Sequence, residues 1–341
     1  MINRCLSILV ILFIIIVNKT LAQNNLYPEE PKLMSYQMSL NYDEEIKPLL
    51  HPFYVYVDNW RKNIFVIDSK GRIIVYDKNY LPLFTLDKRW GIIAPVCVVT
   101  DPKGNLYVLQ YKGGGVTEIL KFNKALFLER IYNIPDDKLA LKIAVDESER
   151  IYVVLHSKSN RNENKVAVWD KEGKEIADIN PKEDGNPVPI ENIKIDSKGR
   201  IFLINLVDSK IYVFDKNYQL LSKFGEKGGI TGKLSNPKSV GVDEKRDLVY
   251  IVDYMRHVVN VFSLKTSAKY LFEFGGYGNA EGWFVFPNDV DVDWEGRVYV
   301  ADTFNSRIQI LSPYEGTEEV KIPINRVIIL SKNRPFLIWR Y

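Results

Sequence analysis

The chain has 341 residues, 46% hydrophobic, 26% charged and 12% aromatic, enough to bury a large core and too apolar for intrinsic disorder. Its formal charge is only +3, so it lacks the positive field that a phosphate backbone requires, which excludes nucleic acid as a partner.

Residues 1–22 read as a secretory signal peptide. A basic n-region ends at Arg4, residues 5–17 are thirteen nearly unbroken apolar positions, and Thr20 and Ala22 are small residues ahead of a cut at Gln23. A membrane span takes about 20 apolar residues, so the run is read as cleaved, leaving one mature domain over 23–341 and no stable membrane anchor. Cleavage removes Arg4 and Lys19, which lowers the charge from +3 to +1. Cys5 leaves as well. Cys97 then stands alone, and the mature chain must be held by packing without an internal disulfide. The only glycosylation sequon, Asn18 to Thr20, also lies in the signal. These features predict a secreted or periplasmic protein of bacterial character.

From residue 52 onward one pattern recurs: alternating apolar residues, an Asp, a turn, then a β-branched and aromatic strand. It appears at 52–68, 95–110, 142–155, 191–205, 237–253 and 287–302, with turn aspartates Asp58, Asp101, Asp146, Asp196, Asp243 and Asp293. Their spacings are 43, 45, 50, 47 and 50, with a mean of 47. A period in that range built only of short strands predicts a β-propeller with one four-stranded blade per repeat. The best copy, PNDVDVDWEGRVYVAD at 287–302, shows the logic. Val290 and Val292 alternate with Asp289 and Asp291, the turn Asp caps the backbone while Gly296 accepts positive φ, and VYV enters a buried strand. Third strands follow at 72–77, 165–170, 210–215 and 307–311, and fourth strands at 220–225 and 270–275.

The motif P-x-x-V-x-V-D-x-x-G-R-V-Y-V-A-D-T-x-N-S-R-I-Q-I resembles the NHL repeat. The resemblance implies that the Asp closing the second strand and the Asn-His-Arg-Ile loop tie strands together by hydrogen bonds. Asp302, Asn305, Ser306 and Arg307 fit in the sixth copy, Asp253 and His257 in the fifth, and Asn205, Asp208, Ser209 and Lys210 in the fourth. Copies two and three depart in that loop. The implied fold is an all-β, NHL-type propeller with six full repeats, six- or seven-bladed. Strands expected at 35–42, 326–330 and 335–339 favour a composite seventh blade that joins the termini and leaves no open edge.

In such a fold the first strand of every blade lines the central channel. The position four before each turn Asp then forms a ring at its mouth: Tyr54, Cys97, Lys142, Asn192, Ser239 and Asp289. Lys194 and Asp291 lie two residues deeper. Larger polar groups where many such repeats carry Gly or Ala make Tyr54, Lys142, Asn192, Lys194, Ser239, Asp289 and Asp291 the expected ligand-binding set. Lys142 and Asp289, three blades apart, are expected to face each other roughly across the ring.

His51, His156 and His257 occupy non-equivalent blade positions, so the zinc set of the similar peptide-amidating lyase is not expected to assemble. The channel Ca²⁺ of lactonase-type propellers stays open through Asn192 and Asp289, with Glu191 displaced to the opposite side of the strand. No cofactor is otherwise expected, no metal residues are assigned, and no catalytic residue is identifiable. GGYGNAEG at 275–282 reads as an inter-blade connection, because no helix follows it. Trp60, Trp90, Trp283 and Trp294 fall in turns or loops, with packing between blades as their main expected role. The reading is a binding or scaffold module for a protein, peptide or glycan, leaning away from an enzyme; a metal-dependent lyase or lactonase in the channel is the alternative.

Overall fold

The same hairpin forms six times because its turn is self-capping. Asp293 accepts the backbone N–H groups of Glu295 and Arg297, both at 2.9 Å, and Gly296 closes the turn at φ +83°. Blade 3 has Glu149 at that position at φ +62°, a left-handed conformation that is strained for a residue with a Cβ.

The computed structural model describes residues 34–160, 163–265, 268–314, 328–331 and 334–337, all within a compact unit spanning Pro31–Tyr341. The signal peptide of residues 1–22 lies outside the described residues. Strand β1 (Met34–Leu40) comes first. Blade 1 is β2 (Tyr54–Asp58), β3 (Asn63–Asp68), β4 (Arg72–Tyr76) and β5 (Pro82–Leu86). Blade 2 is β6 (Pro95–Thr100), β7 (Leu106–Gly113), β8 (Val116–Phe122) and β9 (Leu128–Asn133). Blade 3 is β10 (Lys138–Val145), β11 (Ile151–Ser157), β12 (Lys165–Trp169) and β13 (Glu175–Ile179), followed by a small hairpin, β14 (Lys182–Glu183) and β15 (Asn186–Pro187). Blade 4 is β16 (Asn192–Ile195), β17 (Ile201–Asn205), β18 (Lys210–Phe214) and β19 (Leu220–Phe224). Blade 5 is β20 (Pro237–Asp243), β21 (Leu248–Asp253), β22 (Val258–Ser263) and β23 (Lys269–Gly275). Blade 6 begins with β24 (Pro287–Val292), β25 (Val298–Asp302) and β26 (Arg307–Pro313), and β27 (Ile328–Ser331) and β28 (Arg334–Leu337) follow. Successive inner strands β2, β6, β10, β16, β20 and β24 are neighbours, and β24 returns to β2. The ring is therefore six-bladed.

The expected seventh blade does not form. Strand β1 pairs antiparallel with β26, from Met34 opposite Pro313 to Leu40 opposite Ile308, and becomes the fourth strand of blade 6. Strand β27 lies parallel to β1, and β28 pairs with β27. Both terminal segments do meet in one sheet, in the order β24-β25-β26-β1-β27-β28, yet they extend the last blade and do not build another. The physical reason is that β26 ends without a sequence-local partner. The nearest amphipathic strand, whose Met34 and Leu40 are buried, satisfies that edge first. Residues 326, 327, 338 and 339 of the expected segments lie outside the described residues.

Apolar layers between adjacent blades hold the ring together, and the second strands, covered on both sides, are apolar almost throughout. One repeat position carries an aromatic in every blade: Phe65, Tyr107, Tyr152, Phe202, Tyr250 and Tyr299, all buried, each contributing about 2–3 kcal/mol of transfer free energy. Where it is tyrosine, the hydroxyl usually bonds a buried acceptor, although that of Tyr250 is buried without one among the described residues. Tyr152 and Tyr299 donate to their own turn carboxylates, Asp146 at 3.1 Å and Asp293 at 2.9 Å.

A second recurrent device closes the second strands of blades 1, 2, 5 and 6. Asp302 accepts Val285 N–H at 2.7 Å, Arg307 Nε at 2.8 Å and Gln309 Nε2 at 2.9 Å. Asp253 accepts Ser235 N–H at 2.6 Å, and Asp68 accepts Leu50 N–H at 3.1 Å. Blade 2 departs in sequence yet keeps the fastening, with Gln110 Oε1 accepting Ile93 N–H at 2.8 Å. The bonds to the Leu50, Ile93, Ser235 and Val285 N–H groups pin the loops that deliver the chain to their inner strands, which sets the height of the channel residues.

Candidate functional site: the central channel

Alternation on the inner strands decides what faces the axis. Every second residue of β2, β10, β16, β20 and β24 points inward, and the result is an upper chamber of about 70 Å³ on the side where the inner strands begin. All seven residues singled out from the sequence line it: Tyr54, Lys142, Asn192, Lys194, Ser239, Asp289 and Asp291. They come from five of the six blades. Cys97 belongs to the ring by position but is fully buried, and burial pushes its thiol up to about 11.

The carboxylates are stitched into the closing seam. Asp289 Oδ2 accepts Val55 N–H at 3.0 Å and Asp291 Oδ2 accepts Val57 N–H at 2.9 Å, so blade 6 is bonded to the inner strand of blade 1. Asn288 Nδ2 adds a bond to Phe53 O at 2.7 Å. Burial raises the Asp289 carboxyl above its usual range. Lys142, a Ser239 hydroxyl hydrogen bond and the Val55 N–H oppose the rise, while Asp291 adds to it. Asp289 therefore has a structural use as well as an axial position.

Lys194 Nζ reaches Asp291 Oδ1 at 2.6 Å and lies 5.3 Å from the centre of the Tyr56 ring. This cluster forms the floor of the chamber. Below it a second cavity of about 110 Å³ opens toward the turns, lined by Trp60, Pro102, Glu147 and Glu244 and sharing Tyr56, Lys194 and Asp291 with the chamber above. Tyr56 escaped the sequence reading, although it shares the alternation of Tyr54 and was available from that signal. Its hydroxyl is within 3.0 Å of Thr100 Oγ1, a bond to blade 2.

Lys142 reaches across the channel instead of meeting a carboxylate. Its ammonium sits 4.0 Å from the centre of the Tyr54 ring, a cation–π contact between blades 3 and 1, while the Tyr54 hydroxyl donates to Val98 O at 2.9 Å. It acts on Asp289 through space, but among the described residues it forms no ion pair within 4.0 Å. Asn192 Nδ2 donates to Lys238 O at 2.7 Å. Glu191, one residue earlier, is turned away from the chamber and accepts Leu206 N–H at 2.8 Å; burial lifts its carboxyl to about 7 against the pull of that N–H and of Lys238.

The histidines have separate tasks. His156 Nε2 bonds with Ile190 O at 2.7 Å, His257 Nδ1 accepts Phe286 N–H at 2.9 Å, and His51 packs on Phe304 with ring centres 5.5 Å apart. Among the described residues no three His, Cys, Asp or Glu side chains come together as a metal-binding group. Of the tryptophans, Trp60 and Trp90 are exposed. Trp294 packs between blades 1 and 6 with Lys62 5.1 Å from its ring centre.

Fold and site together define a six-bladed β-propeller with a polar, partly ionic central channel. Residues 284–311 match the family described as NHL repeat, and the chain is a six-bladed propeller that carries this repeat. Among solved structures it is similar to one entitled "Streptogramin B lyase structure", with 12% identity and a TM-score of 0.59, over 84% of this chain and 100% of that one. It is also similar to the β-propeller domain of Cps50 (Swd1) from Myceliophteria thermophila, with 10% identity and a TM-score of 0.58, over 82% of this chain and 99% of that one. At such identities the likeness is one of fold. No curated protein matches the chain. Among the described residues no helix is long and apolar enough to cross a membrane.

Proposed function

We propose that the protein is an exported binding module that holds a protein, peptide or glycan ligand by inserting part of it into the upper mouth of the channel. The observation that carries this reading is the convergence of seven polar, charged or aromatic side chains from five blades on one small chamber. A ring that needed only packing would be served by small or apolar residues, as Ala144 and Gly241 serve at the level below. Export rests on the signal-like residues 1–22.

The test is a thermal-shift screen with peptides, oligosaccharides and divalent metals on wild type, Lys142→Ala and Asn192→Ala. A ligand that stabilises wild type and loses its effect in both variants supports the reading. One that stabilises all three equally moves the site to the loops. Mass spectrometry of protein recovered from the periplasm or medium should find a start at or near Gln23; a persistent Met1 start in membrane fractions would refute export and release.

The alternative, a metal-dependent lyase or lactonase, draws on the likeness of fold to the streptogramin B lyase structure. It requires free donors at the mouth. Of its calcium ligand set, Glu191 is turned away from the chamber and accepts Leu206 N–H at 2.8 Å, which leaves Asn192 and Asp289 without that third donor and favours the binding reading.

A further inference from the structure

We infer that the chamber is a carboxylate pocket in which Lys142 receives the acidic end group of a ligand entering from the upper mouth. This rests on the reading that the mouth binds ligand and goes further by naming the group bound.

The inference follows from which hydrogen-bonding groups remain open. Asp291 is taken by Val57 N–H, Val292 N–H and Lys194. Asp289 accepts from Val55 N–H and Ser239. The Tyr54 hydroxyl and one N–H of the Asn192 amide donate to backbone carbonyls. Lys142 is different. Its ammonium lies over the Tyr54 ring, 4.0 Å from its centre, and among the described residues it has no carboxylate within ion-pair distance, whereas Lys194 in the same chamber has one at 2.6 Å. An ammonium has three N–H donors and no acceptor. A partly buried one that meets Asp289 only through space and has no anion within ion-pair distance retains an unmet demand for charge-assisted hydrogen bonds, and a carboxylate meets it best.

Size and surroundings agree. About 70 Å³ is room for a few waters or one carboxylate head with a short stem, not for a whole ligand. Val99 and Ala144 supply the inward apolar faces, while the alternate residues Val55, Ile143, Ile193, Val240 and Val290 turn their side chains into the cores between blades and close the wall with backbone; an ion pair formed in that setting is strengthened. The Lys194–Asp291 pair closes the floor, so an end group stops there. A carboxylate here also comes near Asp289, whose carboxyl burial already raises, so Lys142 must offset that like charge.

The experiment uses the full mature chain with alanine and valine methyl labelling, titrated by NMR with butyrate, with its neutral isostere butyramide, and with propylammonium. Butyrate is expected to give saturable shifts at the Val99 and Ala144 methyls that line the chamber, and the other two probes none. Lys142→Met should weaken butyrate binding about tenfold or more, equivalent to about 1.4 kcal/mol, and Lys142→Arg should largely retain it. Butyramide or propylammonium moving the same methyls as far as butyrate would overturn the carboxylate assignment while leaving the mouth as a binding site. Butyrate leaving the chamber methyls in place would overturn the inference outright, and shifts confined to the outer loops would overturn the channel reading with it.

Discussion

Asp289 on the inner strand of the last blade accepts the backbone N–H of Val55 on the inner strand of the first, at 3.0 Å. One buried carboxylate thus links the two ends of the ring while facing the channel. Asp289→Ala is expected to destabilise the protein by about 1–3 kcal/mol, the cost of leaving a buried N–H without an acceptor. Asp289→Asn keeps an acceptor oxygen and removes the charge, so it should cost much less. Urea unfolding of both variants checks this; equal losses would show that the charge, not the bond to Val55, holds the seam.

Closure can be dissected by truncation. Strand β1 is the fourth strand of blade 6, whereas β27 and β28 lie outside it. Deleting residues 326–341 should leave the melting temperature nearly unchanged. Starting the mature chain at residue 41 should lower it sharply, because the β26 edge and the apolar face covered by Met34 and Leu40 become exposed. The reverse order of effects would refute this account of closure.

The Lys194–Asp291 pair is predicted to be asymmetric. Asp291 also accepts Val57 and Val292 N–H groups at 2.9 and 2.8 Å, so Asp291→Ala strands two backbone donors and an ammonium. It should cost about 3–5 kcal/mol, as when a buried pair is broken. Lys194→Ala leaves Asp291 with both N–H donors and should cost clearly less. Chemical denaturation of the two single variants decides.

Glu191 should impose a pH dependence. Its carboxyl rises from 4.5 to about 7 through burial, so the folded state binds a proton more tightly than the unfolded chain, and stability falls as pH climbs from about 4.5 to 7. Glu191→Gln, which keeps an acceptor for Leu206 N–H, should remove that slope. The stability of wild type relative to the variant should decline across this window and level off above it; a constant difference from pH 4 to 8 would disprove the shift.

The six repeats, the turn aspartates and the identity of the channel residues were legible in the sequence because they depend on local rules, whereas the expected seventh blade did not form. A period near 47, an Asp-capped turn and strict two-residue alternation each act within a few residues, so position along the repeat predicts position in the blade. That is why Tyr54, Lys142, Asn192, Ser239 and Asp289 could be placed on one ring from spacing alone. What spacing cannot convey is how far a side chain reaches or what it meets. Asp289 has the same alternation as any channel residue, yet only the approach of blade 1 turns its carboxylate into a bond to Val55. Lys142 and Lys194 occupy equally inward positions, and only the three-dimensional ring gives Lys194 the Asp291 carboxylate and Lys142 the face of Tyr54. Closure was a tertiary decision for the same reason. Residues 34 to 40 and 307 to 313 are far apart in sequence, and which free edge captures the first strand is set by the curvature of the six packed blades, which brings β26 beside β1.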